Sequence, residues 1–306
     1  MLDMNSVINQ MLVLFIMLMV GFVAGKLRVI DEIGTKKLTQ VVLNICQACM
    51  VLGSVMNVEQ AVGAVDILRV LGIAFVFYIL AMLLAQLIPV VLHTPREDSG
   101  LYKFMTVFGN VGFMGFPVVA SLFGPQYVFY ASIFNIPFYL LTYSIGIYYI
   151  SGGKSSFNWK SLINTTIGAT ILAMAILLLR VPVPAAIEQS VASIGDMVVP
   201  CAMLIIGSSM AHMDIRQALG QWKVYVFSLI RLLVLPVIVW AVLGLFVKDP
   251  VMLGIATVIS AMPVGSTATM FAVEFNGNER LASWSVFVST IMSVVTIPLM
   301  VYFLLV

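Results

Sequence analysis

The sequence predicts an all-α integral membrane protein, and two features of its composition carry that prediction. Hydrophobic residues make up 62% of the 306 residues, and only 9% are charged, against about 25% in soluble domains. A soluble fold of this size exposes too much surface to carry so few charges. The apolar residues form continuous runs without period-2 alternation, so the spanning elements are helices and not barrel strands. The composition therefore excludes a soluble enzyme, a nucleic-acid binder and a disordered chain.

Ten windows are apolar and nearly charge-free over the length of about 20 residues that a transmembrane helix needs. We number them spans 1 to 10, and they cover residues 6–25, 38–57, 67–92, 101–123, 127–150, 161–179, 189–211, 223–247, 251–273 and 281–306. Residues 104–153 contain no charged side chain, and Gly124-Pro125 separates the two helices that they hold. Span 1 is not expected to be a cleaved signal peptide, because Asp3 stands where the basic segment belongs.

The basic residues predict the orientation of the chain in the membrane. The odd-numbered loops between spans hold eleven of the 15 lysines and arginines, the even-numbered loops hold three, and Arg231 lies inside span 8. Since cytoplasmic loops are enriched in Lys and Arg, the odd-numbered loops are predicted to be cytoplasmic. The sequence therefore predicts a multi-pass protein of the cell membrane with both termini extracytoplasmic.

The ten spans divide into two halves of five. Residues 151–160 form the most polar Gly/Ser-rich loop and are predicted to be a cytoplasmic linker between residues 1–150 and residues 161–306. Because five is odd, the second half enters the membrane inverted relative to the first, as in many secondary transporters. Arg28-Val29 after span 1 also corresponds to Arg180-Val181 after span 6. We therefore predict two inverted five-helix repeats.

The fourth span of each half contains residues that interrupt a helix. Residues 108–117 contain three glycines, Asn110 and Pro117, and residues 260–269 contain Pro263 beside Gly and hydroxyl residues. Proline removes a backbone donor and costs about 3 kcal/mol in a helix interior. Two separate proline kinks are the simpler interpretation. The matching positions in both halves instead favour broken helices that cross near the bilayer midplane, where a cavity or protein satisfies the freed backbone groups.

Four segments carry a resemblance to a known family. They are Gly109-Asn110 with Gly115-Phe116-Pro117, Ala261-Met262-Pro263 leading to Phe271 through Asn276, Ser289-Thr290 with Thr296-Ile297-Pro298, and Pro200 with Gly207. In these segments the chain resembles the auxin efflux carrier family, which includes plant PIN-type auxin exporters and bacterial relatives known as malate or malonate permeases. The match is collinear along the chain. Ala48 departs from a proline, and Thr267 from an asparagine, that many family members carry.

The resemblance implies several features of fold and assembly. These are ten helices in two inverted repeats, crossed broken helices in spans 4 and 9, a homodimer, and an elevator-type movement of a transport domain. The scaffold for that movement would consist largely of the first two helices of each repeat. The resemblance also places an amide side chain near the substrate at the position of Asn135; a hydrogen bond between helices is the alternative role for this residue.

The interrupted spans predict a binding site for an anion. If Pro117 and Pro263 each begin a new half-helix, the free N–H groups and the partial positive charge of both half-helices point at the crossing. The predicted substrate-binding residues are Asn110, Gly112, Pro117, Asn135, Pro263, Gly265, Ser266, Thr267 and Thr269. No catalytic residue, cofactor or metal site is predicted, since Cys46 and Cys49 have no further ligand nearby and are better explained as packing residues.

Arg231 is the one charged residue deep within a span. A buried arginine is costly unless it reaches the interface, pairs or faces a water-filled cavity. Because Lys223 lies only eight residues away, the default interpretation is that Arg231 extends to the cytoplasmic interface. The alternative is that its charge assists an anionic substrate.

These observations predict a transporter of a small organic anion, a carboxylate, with efflux driven by the membrane potential and elevator-type alternating access. Sodium- or proton-coupled uptake of a dicarboxylate is the alternative. A membrane-embedded enzyme is not favoured, because no His-Glu-x-x-His motif or buried acidic pair is present. A sensor or channel is the remaining alternative. The expected partners are the organic anion, membrane lipid and a second copy of the chain, and not nucleic acid.

Overall fold

The computed structural model describes residues 4–56, 64–153, 165–211 and 220–305. Every regular element in these residues is a helix, and we number the helices in chain order. They are α1 (Met4–Lys26), α2 (Glu32–Met56), α3 (Ala64–Val91), α4 (Arg96–Val107), α5 (Val111–Phe123), α6 (Pro125–Ile150), α7 (Thr165–Leu179), α8 (Ala185–Ala211), α9 (Trp222–Leu243), α10 (Pro250–Ser260), α11 (Thr267–Glu274) and α12 (Glu279–Leu305). The all-α prediction is confirmed within this part of the chain. Most of the predicted linker 151–160 lies outside the described residues.

Six of these helices, α2, α3, α6, α8, α9 and α12, are long and apolar enough to cross a membrane. The shorter apolar helices are α5, α7, α10 and the Leu12–Lys26 part of α1. Two of these helices, α5 and α10, are short because a predicted span is interrupted. Predicted span 4 is divided into α4 and α5, and predicted span 9 into α10 and α11. The helices therefore lie where the sequence windows predict them. Six of them are long enough to cross a membrane as one continuous helix.

The outward surface of these helices is apolar, as a lipid environment requires. Leu83 and Val90 on α3, and Val295 and Phe303 on α12, are all exposed. Buried positions, by contrast, include many hydroxyl and amide side chains, five of them on α12 alone. These five are Ser285, Ser289, Thr290, Ser293 and Thr296. A helix that is apolar around its whole circumference belongs in a membrane, and polar groups there are directed inward.

The helices form two bundles, which we name by their contacts. The first bundle contains α1, α2, α7 and α8, and the second bundle contains α3 to α6 and α9 to α12. Close packing in the first bundle depends on glycine: a Cβ atom on Gly21 of α1 would lie 2.5 Å from the Leu204 carbonyl oxygen of α8. Small residues at such contacts let membrane helices approach each other closely. The two bundles meet where α2 and α7 contact α6, and where α8 contacts α5.

Four π-helical turns widen the helices of the described residues, and two of these turns directly precede a proline-containing α-helical stretch. They are Val42–Cys46, Val111–Gly115, Thr142–Gly146 and Ile230–Val234. Pro117 follows the second of these turns and Pro236 the fourth. In a regular helix the ring of proline clashes with the carbonyl four residues earlier, and a wider turn relieves that clash. The prolines therefore alter the helix locally without ending it.

Candidate functional site

Two interruptions of the helices meet in the second bundle. We call residues 108–110, between α4 and α5, the first break, and residues 261–266, between α10 and α11, the second break. The Asn110 backbone N–H donates to the Pro263 carbonyl oxygen at 2.8 Å, and Gly109 and Val264 form an isolated antiparallel bridge. We call this contact the crossing. Each break thus satisfies backbone groups that the other leaves without a helical partner.

Glycine permits the close approach of the two chains at the crossing. A Cβ atom on Gly265 would lie 3.2 Å from the Gly109 carbonyl oxygen, and a Cβ atom on Gly109 would lie 3.3 Å from the Pro263 carbonyl oxygen. Both separations are shorter than ordinary van der Waals contact. The glycines predicted from the sequence therefore act through their lack of a side chain.

The predicted starts of the half-helices are wrong. The helix after the first break begins at Val111, where the Asn110 side chain caps it by accepting from the Phe113 N–H at 3.2 Å. Pro117 lies six residues further along the continuing helix. Pro263 lies within the second break, and α11 begins only at Thr267. Asparagine is a strong helix-capping residue, and this local preference is comparable to that of proline for the first turn. The cap by Asn110 therefore determines where α5 begins. Both N-terminal ends nevertheless adjoin the crossing.

Arg231 does not reach the cytoplasmic interface, and the default interpretation of this residue is wrong. Its side chain is 1% exposed and lies in the π-helical turn of α9. Its Nη1 donates to the carbonyl oxygen of Ser260, the last residue of α10, at 2.5 Å. That carbonyl end of the helix carries partial negative charge, which attracts the guanidinium inward. On the other side, Nη2 occupies the place that a Cβ atom on Gly109 would take.

The charge of Arg231 is not compensated within the part of the chain that the structure describes. Its Nε and Nη2 atoms are buried without a hydrogen-bond partner. Among the described residues the one salt bridge joins Arg69 to Asp66, and it lies on the surface. A buried cation without a partner is strongly destabilising. Within the described residues, the guanidinium is therefore left with two buried donors beside the crossing that have no acceptor.

Two other predicted residues also hold unpartnered polar atoms. Asn135 on α6 is 2% exposed, and its Nδ2 donor has no partner, so the predicted alternative of a hydrogen bond between helices is not formed by this group. Thr267 at the start of α11 has a buried Oγ1 atom without a partner. Ser266 is exposed and its side chain does not cap α11, and no hydrogen bond of the Thr269 side chain joins the crossing within the described residues. The last two residues thus lie beside the site without contributing to its contacts.

Sequence reasoning missed two residues that contact the breaks. Ser289 on α12 accepts from the Val264 N–H at 3.1 Å and so satisfies the second break. Gln47 on α2 packs against Gly112 at the start of α5. For both residues, the signal available in the sequence was a polar side chain within a predicted span. Their spans lie far from the breaks along the chain, and no local pattern shows which long-range neighbours meet.

We expect Ser289→Ala to lower the free energy of unfolding by about 1–3 kcal/mol, because the buried Val264 N–H loses its acceptor. Thermal unfolding of the purified protein in detergent measures this change. Ser266→Ala is the matched control, since its exposed side chain makes no cap, and it should leave the melting temperature unchanged. Equal melting temperatures for both variants would show that the bond to Val264 contributes nothing.

Sequence comparison relates the chain to membrane transport proteins. The sequence model of the family described as membrane transport protein matches residues 6–157 and 153–301. The chain belongs to the auxin efflux carrier family. An uncharacterised transporter of Methanothermobacter thermautotrophicus is 24% identical over 297 residues, which cover 95% of this chain and 96% of that protein. An uncharacterised transporter of Methanocaldococcus jannaschii is 21% identical over 310 residues, which cover 97% and 98% of the two chains.

Family membership confirms the resemblance seen in the sequence and makes this auxin efflux carrier family member a multi-pass membrane transport protein. The family consists of transporters and not of enzymes, which agrees with the prediction that the chain is not a membrane-embedded enzyme. The relatives are described as transporters without a stated substrate. The substrate must therefore be argued from the chemistry at the crossing.

Proposed function

We propose that the protein transports a small organic anion and that its carboxylate binds Arg231 at the crossing. The observation that carries this proposal is the pair of buried, unpartnered donors Nε and Nη2. These two atoms lie on the same edge of the planar guanidinium, and two parallel N–H groups match the two oxygens of a carboxylate. Nη1 is already bound to the Ser260 carbonyl oxygen, which holds the opposite edge in place. The free edge is therefore preorganised for one carboxylate.

The two breaks supply further donors to the same anion. The N-terminal ends of α5 and α11 adjoin the crossing, and helix N-termini offer free N–H groups and partial positive charge. The Asn110 side chain is 8% exposed and uses Oδ1 for its cap, so its amide N–H groups are available to a ligand. Asn135 and Thr267 add unpartnered polar atoms. Substrate recognition thus combines one full charge with several neutral donors.

The proposed transport cycle uses ten spans in two inverted repeats, with an elevator-type movement of one bundle against the other. The interruption of the fourth span in each half supports the repeat, and so do Arg28 and Arg180, whose φ angles of 57° and 50° give spans 1 and 6 the same left-handed ending. The first bundle holds the helices of spans 1, 2, 6 and 7, the first two of each repeat, and is proposed as the scaffold. The second bundle holds both breaks and moves against it. Association of two copies is proposed from the family resemblance.

Export of the anion requires no coupling ion in this proposal. One negative charge that leaves an inside-negative cell gains about 2.3 kcal/mol per 100 mV. The C-terminal end of α10, where partial negative charge attracts a cation, is already occupied by Arg231. Both termini are proposed to lie outside the cytoplasm, which orients the odd-numbered loops inward. The membrane potential alone then drives efflux.

Currents on solid-supported membranes test this proposal. Proteoliposomes that contain the purified protein are exposed to succinate, malate and phenylacetate, with succinamide and phenylacetamide as neutral controls. We expect saturable currents with at least one carboxylate, none with the amides, and no change when sodium is replaced by choline. Absence of current and of thermal stabilisation with every carboxylate would contradict the proposal. A strict sodium or proton requirement would favour coupled uptake, and an unsaturable current would favour a channel.

We expect Asn110→Ala to abolish carboxylate binding while the protein remains folded in detergent, because the amide donors next to the crossing are lost. Binding is measured as ligand-induced thermal stabilisation. Since alanine also removes the helix cap, at a cost of about 1 kcal/mol, Asn110→Ser serves as the second variant. Serine retains a capping oxygen without amide N–H groups, and it should bind as weakly as alanine does. Normal transport by either variant would refute the role of Asn110 in binding.

A further inference from the structure

Gln47 brings an amide group from the first bundle to the first turn of α5. It is the residue directly after the π-helical turn Val42–Cys46 of α2, and its side chain is 1% exposed. Its Nε2 atom lies 3.0 Å from the place that a Cβ atom on Gly112 would take. Gly112 follows Asn110 by two residues, so Gln47 lies beside the capped end of α5. Single π-helical turns inside α-helices are frequent at functional sites.

The orientation of the Gln47 amide is determined by its other neighbour. Thr166 on α7 donates its Oγ1 hydroxyl to Gln47 Oε1 at 3.3 Å. With the acceptor oxygen occupied, the donor nitrogen is the end that faces Gly112. The described residues supply no hydrogen-bond acceptor for Nε2. The backbone that it faces is the N-terminal turn of α5, which presents N–H donors and not acceptors.

The contact between Gln47 and Gly112 also crosses the boundary between the bundles. Gln47 and Thr166 belong to the first bundle, whereas Gly112 belongs to the second. The donors are the Gln47 amide of the first bundle and the backbone N–H groups at the start of α5 in the second bundle. Donors that face each other without an acceptor are suited to bind an anionic oxygen between them. The pair Gln47–Thr166 thus lies against Gly112, three residues from Gly109, which adjoins Arg231.

We propose that Gln47 is a substrate-contacting residue, whose Nε2 amide donates to a carboxylate oxygen bound at the N-terminal end of α5. This inference rests on the proposed function and adds that the first bundle forms one wall of the site. Thr166 is a positioning residue, since it holds the amide with its donor toward the ligand. Because the contact needs α2 beside α5, the donor is present only in conformations that bring the two bundles together at this level.

The test compares three variants of the full-length protein in proteoliposomes, with succinate and phenylacetate as probes. Gln47→Met keeps the length of the side chain and removes the donor, and we expect it to raise KM about tenfold with little change in the maximal current. Gln47→Glu places a negative charge opposite the anion and should raise KM further. Asn44→Leu is the matched control: Asn44 is an exposed amide one turn earlier on α2 that accepts from the neighbouring Thr165. It should keep the KM of the unmodified protein.

Thr166→Val separates positioning from packing. Valine frees Oε1, so the amide can turn over, and we expect an intermediate increase in KM. The double variant with Gln47→Met should be no worse than Gln47→Met alone, because Thr166 acts through the amide. A KM of Gln47→Met equal to that of the unmodified protein, or equal effects of Gln47→Met and Asn44→Leu, would overturn the inference. If Arg231→Gln then still abolishes binding, the proposed function survives; if no carboxylate gives a current with the unmodified protein, both fail.

Discussion

Arg231→Gln is expected to raise the KM for a carboxylate substrate about 100-fold or more. The variant loses the two charged N–H donors Nε and Nη2, and hydrogen bonds to charged groups contribute about 1.5–3 kcal/mol each. Glutamine is two bonds shorter than arginine, so its amide does not reach the Ser260 carbonyl oxygen that Nη1 contacts, and the end of α10 also loses this donor. The same change removes an uncompensated buried charge, and we therefore expect the melting temperature without substrate to rise. Currents and thermal unfolding of the same preparation measure both effects.

Two further arginine variants complete this experiment. Arg231→Lys keeps the charge but cannot form two parallel hydrogen bonds, so it should recover only a small part of the affinity. Arg69→Gln is the matched control, since Arg69 is an exposed arginine in a surface salt bridge with Asp66, and it should transport normally. Unchanged KM in Arg231→Gln, or full activity of Arg231→Lys, would contradict two-point binding of a carboxylate by the guanidinium.

Gly109→Ala is expected to abolish transport and to lower the free energy of unfolding by about 1–3 kcal/mol, the usual cost of an extra methyl group in a packed interior. The new Cβ atom would overlap Arg231 Nη2 and lie 3.3 Å from the Pro263 carbonyl oxygen. Both the free edge of the guanidinium and the close approach of the two breaks are therefore disturbed. Proteoliposome currents report the first effect, and thermal unfolding in detergent reports the second.

Gly72→Ala provides the control for this glycine. Apart from the backbone of its own helix and its chain neighbours, no atom lies within 4 Å of the place where a Cβ atom on Gly72 would stand, in the interior of α3. Alanine there should leave transport intact and stabilise the helix slightly, since glycine is the weaker helix former. If Gly109→Ala behaved like Gly72→Ala in both measurements, the crossing would tolerate a side chain and the proposed site would be in the wrong place.

The positions of the helices and of both breaks follow from local properties of the chain. Apolar runs indicate where a helix can face lipid. The combination of Gly and Pro in residues 108–117 and 260–269, with Asn110 in the first of them, indicates where a helix is costly. The exact start of α5 was predicted incorrectly because two local signals compete, and the cap by Asn110 prevails over the preference of Pro117 for a first turn. Local signals therefore place the breaks to within a few residues.

The neighbours of the breaks were not predictable in this way. Arg231 was assigned to the cytoplasmic interface from its distance along the chain to Lys223, yet it bonds to Ser260, 29 residues away. Ser289 belongs to a segment of the family resemblance that names no partner for it, Gln47 belongs to no motif, and the roles of both depend on contacts with Val264 and Gly112. Such contacts arise from the packing of helices that are distant in sequence, which periodicity and composition do not encode.

By itself, the amino-acid sequence determined that this protein belongs in a membrane, that its elements are helices, and that two of its spans are interrupted. Those properties depend on the free energy of each segment in lipid, which is a sum over neighbouring residues. Only the tertiary structure decided that the interruptions cross, that a buried arginine lies beside them without a counter-charge from the described residues, and which side chains from other helices face the crossing. These properties depend on distances between segments, and they are the ones that define what the site can bind.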